Sequence, residues 1–152
     1  MISEHISKKE ATFSATATRK GIDNTPGEYE LQNMELIAAK VFEPLRKAVN
    51  GPIKINSFFR SEKLNKAIGG SSRSQHCQGR AMDLDDVYGY MSNKDMYNYI
   101  KNNLDFDQII WEFGTDQNPD WVHVSYVDAD SNRRRCLQAY KDENNKTCYK
   151  EI

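Results

Sequence analysis

Apolar residues recur three or four apart at Leu31, Met34, Ala38, Val41, Leu45 and Ala48, the period of a helix with one buried face. Thr25, Pro26 and Glu28 stand ahead of it in the spacing of a capping box, with proline at the first helical position. Pro44 is expected to bend this helix, and Gly51 with Pro52 to end it. The run IKINSFF reads as a strand, and SEKLNKAIGG as a short helix capped by Ser61 and stopped by Gly69 and Gly70. AMDLD alternates, so Met82 and Leu84 share one face of a half-buried strand while Ala81, Asp83 and Asp85 share the other. Ser92 and Asp95 open a further helix with Met96, Ile100 and Leu104 inward. QIIWEF and WVHVSY are strands across the turn GTDQNP, hence an antiparallel hairpin. Residues 1–24 show no sustained period and read as an irregular arm with room for one short helical turn; residues 128–152 read as a polar carboxy-terminal segment. Helices flanking a small antiparallel sheet make the fold class α+β, and 152 residues match a single domain.

Composition narrows the partners. The chain is 38% hydrophobic and 28% charged with a formal net charge of -1, which gives no electrostatic reason to expect nucleic acid. No run approaches the roughly 18 apolar residues of a membrane span, so no membrane insertion is expected. The first residues lack the apolar stretch of a secretory signal, so the expectation is synthesis in the cytoplasm. Cys77, Cys136 and Cys148 are an odd number without a CxxC pair, which suggests neither a disulfide framework nor a thiolate zinc cluster. A monomer is expected.

The candidate chemistry lies in SSRSQHCQGRAMDLDD, where six residues separate His76 from Asp83. A catalytic zinc site needs converging nitrogen, oxygen or sulfur donors and a coordination position left for water. His76 sits in a loop just ahead of the strand bearing Asp83, and His123 occupies the middle of WVHVSY, with Trp121 and Ser125 on its face. Two histidines and one carboxylate would make an open three-ligand site, which could also hold iron or manganese. By spacing alone, His76 and Asp83 also read as a hydrogen-bonded surface pair, and His123 equally as a core histidine satisfied by a backbone carbonyl. Asp120, three residues before His123, is a candidate proton carrier, though PD after QN is also ordinary turn chemistry. His5 reads as solvated and the Arg133–Arg135 run as a solvated face.

SFFRSEKLNKAIGGSSRSQHCQGRAMDLD followed by PDWVHVSY resembles the zinc D-Ala-D-Ala carboxypeptidase and L-alanyl-D-glutamate endopeptidase family of peptidoglycan peptidases, which includes small phage endolysins. Ser74, His76, Gly79, Ala81 and Asp83 match the first part of that family's signature, and Asp120 and His123 the second. The resemblance implies that His76, Asp83 and His123 bind zinc and that Asp120 is the catalytic carboxylate. Arg60, in FRS, would hold the substrate or the developing oxyanion, because guanidinium stays charged and donates in a fork. Ser74 would contact the substrate. Glu112 is placed no nearer than outside the ligand set, Trp121 is expected in the core, and Cys77 is expected to be a bystander. The function implied is zinc-dependent hydrolysis of an amide in the peptidoglycan stem peptide, as an endolysin-like endopeptidase. A D,D-carboxypeptidase and a non-catalytic zinc-stabilised wall-binding or virion module are the alternatives.

Overall fold

The computed structural model describes residues 1–152. Six strands form one sheet in the order β1-β2-β4-β3-β5-β6: β1 Lys54–Ser57, β2 Ala81–Asp85, β3 Gln108–Glu112, β4 Trp121–Ser125, β5 Arg135–Lys141 and β6 Thr147–Glu151. All neighbours are antiparallel except β3 and β5, which run parallel. With its helices, among them the short α5 (Glu62–Ala67) capped by Ser61, the protein is α+β.

One face of the sheet carries Ile55, Met82, Leu84, Ile109, Trp111, Val122 and Val124, as the alternation of β2, β3 and β4 demands. These residues pack against α3 (Glu28–Ile37), α4 (Glu43–Val49) and α6 (Asn93–Asn103), which bring in Met34, Ile37, Leu45, Met96 and Ile100. Each such buried side chain contributes about 1.5–3 kcal/mol. With that face sealed, the residues of opposite parity, Asp83, His123, Ile110 and Glu112, lie together on the other face.

The long helix departs from its expected form at both proline positions. Thr25 does not cap it: the Thr25 N–H and hydroxyl both donate to Asp23 Oδ1, and the helix starts at Glu28 behind Gly27. Near Pro44 the helix passes through a π turn, Ala38–Phe42, between α3 and α4. Proline has no N–H for the ladder and crowds the preceding turn, and a local insertion accommodates both defects. Asn50, with φ 56°, ends α4 one residue before Gly51.

Residues 1–24 are more ordered than the irregular arm expected, holding α1 (Lys8–Thr12) and α2 (Ala15–Lys20), capped by Ser7 and Ser14. Ile2, Ile6 and Ala11 are buried in the main core, so this segment is anchored by few but well-placed apolar residues. Residues 128–152 likewise hold β5 and β6, joined by the Asp142–Lys146 turn in which the Asp142 carboxylate accepts from the Asn144 and Lys146 N–H groups. Only Leu137 and Ala139 of these strands are buried, which is why the segment reads as polar. The Arg133–Arg135 run is solvent-exposed as expected at Arg133 and Arg134, and it also ties the chain together. Arg133 forks onto buried Asp107 at 3.0 and 2.7 Å, Arg134 donates to the Leu104 and Lys101 carbonyls at the end of α6, and Arg135 pairs with Glu151.

Candidate metal centre and groove

The antiparallel register of β2 and β4 sets Asp83 opposite His123. His76 reaches them from a 3-10 turn, Gln75–Gln78, that lies just ahead of β2. Ser74 starts this turn, its Oγ accepting from the His76 N–H at 3.3 Å, and Gly79 ends it with φ +73°. A Cβ on Gly79 would lie 2.5 Å from the Glu30 carbonyl oxygen, so glycine is required both for its conformation and for the close approach of α3.

The donors converge. His123 Nδ1 lies 2.9 Å from Asp83 Oδ1, His76 Nε2 lies 3.3 Å from Asp83 Oδ2, and one donor atom from each of the three residues lies within 4.8 Å of the others. His76 Nδ1 is 2.7 Å from the Phe58 carbonyl, which can only accept. The proton is therefore on Nδ1, and Nε2 presents its lone pair to the centre, an orientation common among metal-bound histidines. Burial opposes ionisation of Asp83, yet the two imidazoles that face it hold its carboxyl well below the usual carboxylate range. Burial lowers His76 below the ordinary imidazole value, with Asp83 pulling the other way. A lone pair on a buried imidazole and an ionised carboxylate are the forms in which these groups bind metal.

Arg60, just after β1, is held on three sides: Nε donates to Ser57 Oγ at 2.9 Å, Nη1 to Asn65 Oδ1 at 3.4 Å and Nη2 to Asp83 Oδ2 at 3.3 Å. The centre lies where two grooves meet. One, of about 1030 Å³, runs past Ser74 and His76 to β5 and β6; the other, of about 410 Å³, runs toward Phe13–Thr16, and Arg60, Asp83 and Trp121 line both.

Asp120 is exposed at the start of β4, its N–H donating to the Glu112 carbonyl and its own carbonyl accepting from Asn93 Nδ2. Its backbone is thus fixed, but its side chain is not among those lining the larger groove, whereas that of Glu112 is. Glu112 is buried without an ion pair. Burial raises its carboxyl to about 7, with His123 and Arg60 opposing and Asp83 adding to the shift. Trp121 is not in the core: it lines the groove with its ring 5.6 Å from that of Phe113. Burial raises the Cys77 thiol, and Cys77 is not among the converging donors. His5 is not simply solvated, since its Nδ1 meets Glu43 Oε1 at 2.6 Å.

A family model described as Peptidase M15 matches residues 4–125. The chain belongs to this family. No curated protein matches it. Membership makes the chain a peptidase, and M15 peptidases are generally zinc-dependent, which suits the two-imidazole, one-carboxylate donor set. The M15 match stops at Ser125, so β5 and β6 lie outside it. No helix of this M15 chain is long and apolar enough to cross a membrane.

Glu112 lies outside the converging donors, as expected, but in the groove wall; what sequence reading missed is the whole contribution of β5 and β6. The available signal was the alternation of Leu137 and Ala139 ahead of the turn-forming stretch DENNK.

Proposed function

We propose that this chain is a zinc endopeptidase that hydrolyses an amide bond in the stem peptide of bacterial peptidoglycan, in the manner of an endolysin, with residues 1–152 acting as one catalytic domain. The observation that carries this reading is the convergence of His76, Asp83 and His123 where two grooves meet, in a chain of the M15 family. A peptide cut internally needs room on both sides of the scissile bond, and grooves running both ways from the centre supply it.

His76 Nε2, the Asp83 carboxylate and His123 Nδ1 would hold the ion. Zinc, when bound, supplies a hydrolytic nucleophile near neutral pH and polarises the scissile carbonyl. Arg60, fixed by Ser57 and Asn65, places a guanidinium where the carbonyl oxygen gains negative charge, and donors aimed at developing charge cost no reorganisation in the transition state. Asp120 takes a proton from the attacking water and returns one to the leaving amine nitrogen. Ser74 contacts the substrate from the groove wall as well as capping the His76 turn. In a second reading Glu112, rather than Asp120, carries the proton. Its burial in the groove and its carboxyl near 7, a value suited to proton transfer at neutral pH, favour that assignment.

Purified muropeptides incubated with the protein, with and without a chelator, test the proposal by mass spectrometry of the products. Chelator-sensitive cleavage inside the stem peptide is expected. Release of terminal D-alanine alone would make the protein a carboxypeptidase. No cleavage by zinc-loaded protein would leave a wall-binding module instead.

A further inference from the structure

We propose that the β5–β6 hairpin is a recognition wall that takes a free carboxylate of the substrate peptide on Lys141, with Tyr149 as a neighbouring hydroxyl donor. This rests on the peptidase reading and names the chemical class of its substrate, an anionic peptide.

The hairpin lies outside the matched family segment, yet its register puts it in the groove. Parallel pairing with β3 sets Leu137 beside Ile110 and Ala139 beside Glu112, so Arg135, Leu137, Ala139 and Lys141 continue the face that holds Asp83 and His123. In β6, Tyr149 and Thr147 follow on that face, opposite Ala139 and Lys141. Ala139 is small and buried between Glu112 and Tyr149, which leaves the tyrosine room to lean toward the centre. Its phenol is raised by burial and by the charges of Glu112 and Asp83, which keeps the O–H a donor.

The groove holds the cations Arg60, Arg73, Arg133, Arg135 and Lys141 against the carboxylates Asp83 and Glu112. Arg60 is engaged by Asp83, Arg133 by Asp107 and Arg135 by Glu151. Arg73 and Lys141 are left without an ion pair; Arg73 makes no side-chain hydrogen bond either, whereas Lys141 is positioned: Nζ donates to Thr147 Oγ1 at 2.7 Å and sits 5.3 Å from the centre of the Phe113 ring. Phe113 takes φ +56°, a costly conformation for an aromatic residue, at the end of β3 where its ring lies beneath that ammonium and beside Trp121. An ammonium held on an aromatic floor, with two donors still unused and no counter-ion, is a carboxylate site.

The test compares two synthetic stem tetrapeptides, one with all carboxylates free and one with each converted to carboxamide. Binding is measured by calorimetry on the chelated protein, and KM and kcat on the zinc-loaded protein. Wild type is expected to bind the free peptide about tenfold more tightly, roughly 1.4 kcal/mol. Lys141→Gln should raise KM about tenfold for that peptide alone with kcat little changed, and Lys141→Arg should restore it. Lys150→Gln, on the opposite face of β6, should change nothing. Equal binding of the two peptides by wild type overturns the proposal, as does a loss in Lys141→Gln that is the same for both. Selective binding without hydrolysis by wild type would overturn the peptidase reading and leave the recognition wall standing.

Discussion

His76 Nδ1 donates to the carbonyl of Phe58 at 2.7 Å, and that single contact decides which nitrogen of a buried imidazole faces Asp83. The carbonyl belongs to the segment just after β1, so the sheet edge and the candidate metal centre are built together. Supporting hydrogen bonds of this kind are worth about 10–100-fold in metal affinity, and the ligand itself more.

His76→Ala should therefore lose zinc by more than about 100-fold, together with all hydrolysis. Elemental analysis of the purified variant after dialysis reads this directly. Retention of one equivalent of zinc would remove His76 from the ligand set.

Asp120→Ala should lower kcat by about 10²–10⁴ while zinc content stays at wild-type level, the range expected when a positioned proton carrier is removed. Glu112→Gln, measured beside it, should cost far less. If the two losses are reversed, Glu112 is the proton carrier, and the second reading replaces the first.

Glu112 also carries a stability prediction for the chelated protein. Its folded carboxyl near 7 lies above the ordinary 4.5, so the stability it contributes is full below 4.5 and is lost as pH rises through 7. At pH 8 the folded state must hold a buried carboxylate, at a cost on the order of 3 kcal/mol. Urea unfolding should show Glu112→Gln more stable than wild type at pH 8, by up to that amount, and indistinguishable at pH 4. A difference that does not vary with pH would mean that Glu112 ionises normally.

Gly79→Ala should destabilise the fold by about 1–2 kcal/mol from its positive φ, with a further cost from the clash with the Glu30 carbonyl. Because Gly79 closes the turn that carries His76, zinc affinity should fall with it. Thermal unfolding with and without zinc separates the two effects: the melting temperature should drop in both conditions, and the increment from zinc should shrink.

That His76, Asp83 and His123 converge was legible from the family signature; spacing alone left a surface pair and a core histidine open as alternatives. The helix from Leu31, the Ser61 and Ser92 caps and the β3–β4 hairpin were legible for a different reason: periodicity and capping are local and are written in neighbouring residues. The β5–β6 hairpin was not, because it joins the sheet through backbone hydrogen bonds that almost any sequence can make and buries only Leu137 and Ala139. The raised carboxyl of Glu112 was not legible either, because it follows from burial in the folded groove, reinforced by Asp83 and opposed by His123 and Arg60, all distant from it in sequence. What the sequence determined by itself was which donors the protein has and which strands and turn carry them. Only the tertiary structure decided which faces meet, which tautomer His76 adopts and which charges stand unpaired in the groove, since each depends on groups brought together by folding.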